Sequence, residues 1–173
     1  EAAIARAELA EPKIAAFGYA SNLLGTVNPV KKLTKMAHEA SALVYIDAVQ
    51  YAPHGPIDVQ DLGCDFLVCS SYKFFGPHAG ALYGRYDLLN ELKPYKVRPA
   101  SNELPYKFET GTQNHEGIAG FLGALEYFEW IGNQFGGDQA QAWKDAGFTG
   151  RRLIFKQAMS ALKAYEFELS RAL

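Results

Sequence analysis

Residues 43–84 read LVYIDAVQYAPHGPIDVQDLGCDFLVCSSYKFFGPHAGALYG, and the order of apolar runs and chain breakers in this stretch decides the fold. Residues 43–46 (LVYI) form a short, unbroken apolar run that stops at Asp47, the pattern of a strand covered on both faces. Residues 66–69 (FLVC) predict a second buried strand. Residues 80–83 (GALY) predict a third, entered through the Gly76-Pro77 turn. Residues 58–62 leave room for a short helix between the first two strands.

Working outward, residues 13–19 (KIAAFGY) are apolar and bounded by Pro12, which predicts another buried strand. Pro29 opens a helix in which Val30, Leu33, Met36, Ala37 and Ala40 fall on one face. A helix is expected over residues 87–92. Residues 93–108 hold three prolines and little periodicity, so they read as an extended loop. Helical spacing returns over residues 114–131, with Ile118, Phe121, Leu122, Leu125 and Phe128 on one side, and residues 133–138 break it. From Ala158, the stripe Leu162, Tyr165, Leu169 and Ala172 marks a C-terminal helix. Short buried strands alternating with helices predict a parallel-rich α/β sheet with helices on both faces. Ligands of such sheets bind beyond the carboxyl ends of the strands, where Asp47 and residues 70–73 fall.

Composition sets the outer bounds. The chain of 173 residues is 49% hydrophobic and 21% charged, which suits one ordinary globular domain with a sizeable core. A net charge of −2, with Lys and Arg scattered, argues against nucleic acid as a partner. No apolar run approaches the ~20 residues of a membrane span. The opening EAAIARAELAEPK has no apolar core and carries acids throughout, so it reads as neither a secretory signal nor a transit peptide. A cytoplasmic location is expected. Cys64 and Cys69 fit no metal or CxxC spacing and sit in apolar surroundings, so they read as buried, inert thiols. No metal site is expected.

Lys73 follows an apolar strand and precedes two phenylalanines, whereas a lysine usually has hydrophilic neighbours. Taken alone it also fits a snorkelling surface residue. Asp47 at a strand end also fits a turn former. Their combination is more specific. From Tyr45 to Gly84 the sequence resembles the cofactor-binding stretch of class V aminotransferases and cysteine desulfurases, which are fold-type I enzymes dependent on pyridoxal 5'-phosphate. The ordered matches are Asp47, Gln50, Asp58-Val59, Leu62, Asp65, Lys73 and Gly76-Pro77. Upstream, ASNLLGTVNPV (20–30) is similar to the segment that places an asparagine near the cofactor. Downstream, FETGTQNHEGIAG (108–120) is similar to the segment whose threonine reaches the phosphate of the neighbouring subunit. The resemblance runs from about Lys13 to Ile131.

The resemblance implies the large-domain fold of fold-type I enzymes and a role for each matched residue. Lys73 would carry the cofactor as an aldimine and later move protons at the substrate α-carbon. Asp47 would pair with the pyridinium nitrogen, keeping the ring an electron sink. Gln50 would hydrogen-bond the ring's phenolic oxygen, with Asn22 close to it. Ser70 and Tyr72 would bind the phosphate, and Thr112 would reach it across a homodimer interface. Thr112 also lies near an expected helix N-terminus, where anions are favoured; a simple capping role is the alternative. Residues 1–156 are then part of the cofactor-binding domain, and residues 157–173 a helix leading towards a C-terminal domain. The implied activity is that of an enzyme on an amino acid substrate, a cysteine desulfurase or selenocysteine lyase-like protein. An aminotransferase, a kynureninase-like lyase and a non-catalytic α/β module are the alternatives.

Two departures stand out. Tyr72 occupies the place where cysteine desulfurases have histidine, although its hydroxyl also donates a hydrogen bond, and kynureninase-like relatives carry Tyr-Lys there. The family's N-terminal phosphate-binding turn, its ring-stacking aromatic residue, its carboxylate-binding arginine and the desulfurase cysteine have no counterpart here. The chain therefore resembles a central fragment, expected to be inactive in isolation. Neither Cys64 nor Cys69 stands in for that cysteine, since both precede Lys73. His38 is expected to be solvated on the polar side of its helix, and His54 to be structural. His78 reads as part of a turn, His115 as the histidine best placed to touch substrate, and Arg85 and Arg98 as paired surface cations.

Overall fold

The structure is a computed structural model and describes residues 13–173. The stretch read above as lacking a targeting signal lies outside them, apart from Lys13. The order of elements is β1 (Ile14–Gly18), α1 (Val30–Glu39), β2 (Leu43–Asp47), α2 (Val59–Leu62), β3 (Phe66–Ser70), β4 (Gly80–Gly84), α3 (Tyr86–Glu91), α4 (His115–Phe135), α5 (Ala140–Asp145) and α6 (Gly150–Ala172). The strands lie side by side in chain order, with β1, β2 and β3 parallel and β4 antiparallel to β3. The reversal at β4 has a local cause. Only the turn after Lys73 separates β3 from β4, too few residues for the crossover that a parallel neighbour needs.

The registers sort side chains onto two faces. Val44 pairs with Ala15, and Ile46 with Phe17 and Leu67, so these point the same way. Leu67 pairs with Tyr83 and Cys69 with Ala81 on that same face. Val30 and Ala37 of α1 and Leu62 of α2 pack here, and Val44 and Ile46 lose all solvent contact. Complete burial of such a side chain contributes about 1.5–3 kcal/mol. A second cluster continues it under Cys69, with Phe74, Phe128 and Ile131 joined by Ala158 of α6. Asp58 caps α2 by accepting from the Gln60 and Asp61 N–H groups, and Gly63 closes it in the left-handed conformation.

The opposite face carries Ala16, Gly18, Tyr45, Asp47, Val68, Ser70, Gly80 and Leu82. α3 reaches it where Leu89 lies beneath Gly84. The expectation of helices on both faces therefore narrows, with the long helices all on one side. β1 and β4 are half-exposed rather than buried, since both are edge strands of this sheet.

The helical half also departs from its expected pattern. α4 turns Gly117, Ala124, Phe128, Ile131 and Gly132 inward and leaves Ile118 and Leu122 exposed. Close approach of α6 explains the shift. A Cβ on Gly132 would lie 2.4 Å from the Ile154 carbonyl oxygen, so only glycine allows the two helices this separation. α4 continues through the expected break to Phe135, and α6 begins at Gly150. α6 buries Lys156 and Ala158, while Tyr165 and Leu169 of the expected stripe remain exposed. It runs unbroken across residues 156 and 157.

A buried carboxylate fastens β2 to β3. Asp65 accepts from the Val44 N–H at 2.7 Å and from Arg85 Nη1 at 3.2 Å, and His38 Nε2 lies 2.8 Å away. His38 is thus held to the core from α1, not simply solvated as expected. Losing one partner of such a pair costs several kcal/mol, since a charge is left buried without compensation. His54 meets the Glu166 carboxylate of α6 at 2.9 Å, in keeping with its structural reading.

Candidate cofactor-binding site

Register brings two of the predicted residues, Asp47 and Ser70, to one edge. Gly18 pairs with Asp47, Asp47 with Val68, and Ser70 with Gly80. Since i and i+2 share a face, Gly18, Asp47, Ser70 and Gly80 form a row along the carboxyl end of the parallel strands. The row lies on the face that the long helices leave open. Added Cβ atoms at Gly18 and Gly80 would meet nothing nearer than 3.8 Å and 3.6 Å. Two glycines without side chains thus flank an acid and a hydroxyl on an open shelf.

Asp47 is oriented locally. Its Oδ1 accepts from the Val49 N–H at 2.9 Å, and its carbonyl accepts from the Tyr19 N–H at 2.8 Å. The Ala48 N–H donates to the Val68 carbonyl at 2.9 Å, which carries the β2–β3 pairing past the strand end. Gln50 is half-buried in the turn that follows. That turn is clamped by a feature the sequence reading missed. The Tyr19 and Tyr51 rings stack at 3.8 Å with 10° between planes, and the Tyr19 hydroxyl is pushed up to about 12, chiefly by burial and then by Tyr51. Two tyrosines thirty-two positions apart give no local signal of pairing. Asn22 is exposed in the turn after β1, where the Ser21 hydroxyl oxygen accepts from the Leu23 and Leu24 N–H groups.

Lys73 closes a 3-10 turn, residues 71–73, directly after β3. Its Nζ stands 5.1 Å from the centre of the Tyr72 ring. The residue that builds this turn is Ser71, to which the sequence reading assigned no role. Ser71 is fully buried, with Oγ 2.6 Å from the Pro77 carbonyl and 3.1 Å from that of Ala79. Its own carbonyl accepts from the Phe74 and Gly76 N–H groups. A Cβ on Gly76 would lie 2.6 Å from Ser71 Cβ. The Gly-Pro pair after the lysine is therefore the packing partner of Ser71, and that pairing was the available signal.

Phe75 takes φ +68, a left-handed conformation that costs a non-glycine residue about 1–3 kcal/mol. Its ring rests against Tyr127 at 5.1 Å and Phe128 at 5.9 Å on α4. α4 thereby holds the lysine turn from below. Thr112 stands apart from the row, exposed in the bend before α4. It does not cap that helix: the Asn114 side chain accepts from the Gly117 N–H at 2.9 Å. His115 is the first helical residue and is exposed. Three clefts among the described residues are lined by other residues. The one of about 500 Å³ between α2 and α6, lined by Asp58, Arg152 and Lys156 among others, contains none of the predicted site residues.

The donor set fits pyridoxal 5'-phosphate. It offers an amine for the carbonyl carbon, a carboxylate for the ring nitrogen, hydroxyl donors for the phosphate and flat, side-chain-free strand for the ring. The thiols do not belong to it. Cys64 is buried with its thiol pushed up to about 11 by burial, and burial raises Cys69 likewise.

Comparison with known proteins shows the family of the chain. The profile of the family described as Aminotransferase class-V matches residues 3–146. A cysteine desulfurase of Haloferax volcanii is 40% identical over 132 residues, covering 69% of this chain and 31% of the relative. A cysteine desulfurase of Pectobacterium atrosepticum is 42% identical over 127 residues, 66% of this chain and 31% of the relative. The chain thus spans about a third of the length of these relatives. Among solved structures, the cysteine desulfurase CsdA of Escherichia coli superimposes with TM-score 0.62 at 30% identity, covering 76% of this chain and 38% of that one. An apo cysteine desulfurase of Thermococcus onnurineus gives TM-score 0.64 at 29% identity, covering 74% and 36%. The parallel-rich sheet is that of these fold-type I enzymes, and cysteine desulfurases and class V aminotransferases depend on pyridoxal phosphate. The chain belongs to the aminotransferase class-V family.

Proposed function

We propose that the complete protein is a pyridoxal-phosphate enzyme that removes sulfur from cysteine, a cysteine desulfurase or selenocysteine lyase-like activity. The observation that carries the reading is the row Gly18, Asp47, Ser70 and Gly80 on an open face, with Lys73 on the next turn. The choice of desulfuration follows the relatives at about 40% identity, which are cysteine desulfurases. Tyr72 in place of a histidine favours a second reading, a kynureninase-like lyase or aminotransferase built on the same cofactor residues.

When bound, the cofactor supplies an electron-withdrawing ring for negative charge developing at the substrate α-carbon. Asp47, its carboxylate held by the Val49 N–H, keeps a proton on the ring nitrogen. Gln50 donates to the ring's phenolic oxygen, with Asn22 close to it. Ser70 and Tyr72 donate to the phosphate, and Thr112 does so from a second copy in a homodimer. Lys73 Nζ holds the cofactor and moves the proton at the substrate α-carbon. The buried turn of Ser71 and Gly76 fixes where that amine stands, so the chain contributes positioning as much as reactivity.

Residues 1–156 are read as part of the cofactor domain, with α6 carrying the chain on towards a C-terminal domain. The isolated chain is read as inactive. No helix among the described residues is long and apolar enough to cross a membrane. Two free thiols favour a reducing, cytoplasmic setting. The test is direct. The purified complete protein should be yellow, bleach with borohydride, carry the reduced label on Lys73 and, with a dithiol present as reductant, convert cysteine to alanine and sulfide. A label on another lysine would overturn the assignment, and turnover of kynurenine-type substrates without sulfide release would select the second reading.

A further inference from the structure

The Tyr72 ring has a second partner besides Lys73. The His78 imidazole stacks on it at 5.2 Å between centroids and 14° between planes. The two residues belong to opposite ends of the tight turn that Ser71 ties together through the Pro77 and Ala79 carbonyls. The tied turn brings the two backbone positions close enough for the rings to meet. Both residues are exposed, whereas Phe74 of the same turn is buried.

We propose that His78 is a positioning residue for the cofactor phosphate, holding the Tyr72 ring and making its hydrogen bond to the phosphate stronger when the imidazole is protonated. The inference rests on the reading of Tyr72 as a phosphate donor. Two physical effects act in the same direction. A flat partner at 14° restricts rotation of the phenol, so less freedom is lost when the hydroxyl meets the phosphate. An imidazolium over the ring draws electron density from the phenol and adds a positive charge close to the dianion. Imidazole is the side chain that changes charge between pH 5 and 8, so the assistance is present at the acid end and fades as pH rises.

The titratable groups around the stack are few. Tyr72 and Lys73 share its turn, with Lys73 Nζ 5.1 Å from the same ring. α4 meets the turn where Gly120 approaches Pro77 to within 3.2 Å of its Cβ position, and the first turn of α4 carries His115 and Glu116.

Cofactor affinity in the complete protein, measured by spectroscopic titration with pyridoxal phosphate, tests the inference in wild type, His78→Phe and His78→Gln. Pyridoxal phosphate and the aldehyde chemistry titrate by themselves, so the difference in pH slope between wild type and variants is the quantity read. Between about pH 8 and pH 6, wild type should gain about two- to fivefold more affinity than either variant, the scale of an exposed cation–π contact. At the alkaline end His78→Phe, which keeps a flat ring, should match wild type, and His78→Gln should bind more weakly. Pyridoxal, which lacks the phosphate, should show no difference among the three. Equal slopes in wild type and variants overturn the inference, as does a slope difference that persists with pyridoxal. A nuclear magnetic resonance titration of His78 in wild type needs no variant. By reciprocity of linkage its protonation midpoint should move up with pyridoxal phosphate and not with pyridoxal, and no movement overturns the inference. Failure of wild type to bind the cofactor at Lys73 would instead sink the functional reading itself.

Discussion

The two faces of one sheet do different work. Along β2, Val44 and Ile46 are sealed beneath α1, while Asp47 is exposed on the opposite face. Along β3, Leu67 joins the core while Ser70 joins the open row. A period of two lets neighbouring residues of the same strand serve stability and chemistry separately. The open face is not polar, however: Ile14 and Leu82 are 52% and 54% exposed on it. The lesson is that polarity alone does not set the two faces apart; what distinguishes the open one is the row of glycines, acid and hydroxyl at the strand ends.

The sharpest way to break the comparison is to mutate one residue on each side. Lys73→Ala in the complete protein should abolish the absorbance of bound cofactor and all turnover, with the melting temperature of the cofactor-free protein unchanged. Ile46→Ala should do the reverse. Deleting most of a fully buried isoleucine costs about 2–5 kcal/mol, read as a lower urea midpoint, while the protein that remains folded still takes up cofactor. Should Lys73→Ala destabilise the apoprotein as much as Ile46→Ala, the division of labour between faces would be wrong.

Asp47→Asn is a finer probe, because it changes charge and almost nothing else. The amide oxygen can still accept from the Val49 N–H, and an exposed site usually shifts stability by less than about 0.5 kcal/mol. A neutral amide cannot hold the ring proton, so turnover should fall by at least about tenfold, or roughly 1.4 kcal/mol of barrier, with cofactor still bound. The loss should appear mainly in kcat, since the interaction matters most in the transition state. Near-normal turnover would remove Asp47 from the site.

Residues 43–84 were legible because breakers bound every element: Asp47 ends one run, Gly63 caps the helix, and Gly76-Pro77 turns the chain. The direction of β4 was not read, although the short link before it requires a reversal. The early part of α6 was hidden for a different reason. Lys156 is buried, with Nζ 3.2 Å from Asp58 and 4.9 Å from the Phe148 ring centre. A lysine caged by an acid and aromatics cannot be told from a surface lysine without the partners, which lie on other elements. In the site, Lys73, Asp47 and Gln50 were read from an ordered motif, while Ser71 and the Tyr19–Tyr51 stack needed three dimensions.

The smallest expected effect concerns Thr112, which the structure sets apart from the row. Asn114 caps α4, so Thr112→Ala should spare the roughly 1 kcal/mol that losing a cap typically costs. Any weakening of cofactor binding then reports a phosphate contact, and the question becomes which subunit receives it. Mixed dimers answer it. Pair a Lys73→Ala subunit with a Thr112→Ala subunit, isolated by separate tags. If Thr112 serves the neighbour, one site carries both defects and the other neither, and about half the wild-type activity returns when sites act independently. If Thr112 serves its own subunit, one site lacks the lysine and the other lacks the threonine, so no intact site exists. Recovery near half would extend the open face across a dimer, with the row on one copy and its last phosphate donor on the other. Activity no higher than that expected from the Thr112→Ala protein alone would confine the site to a single chain.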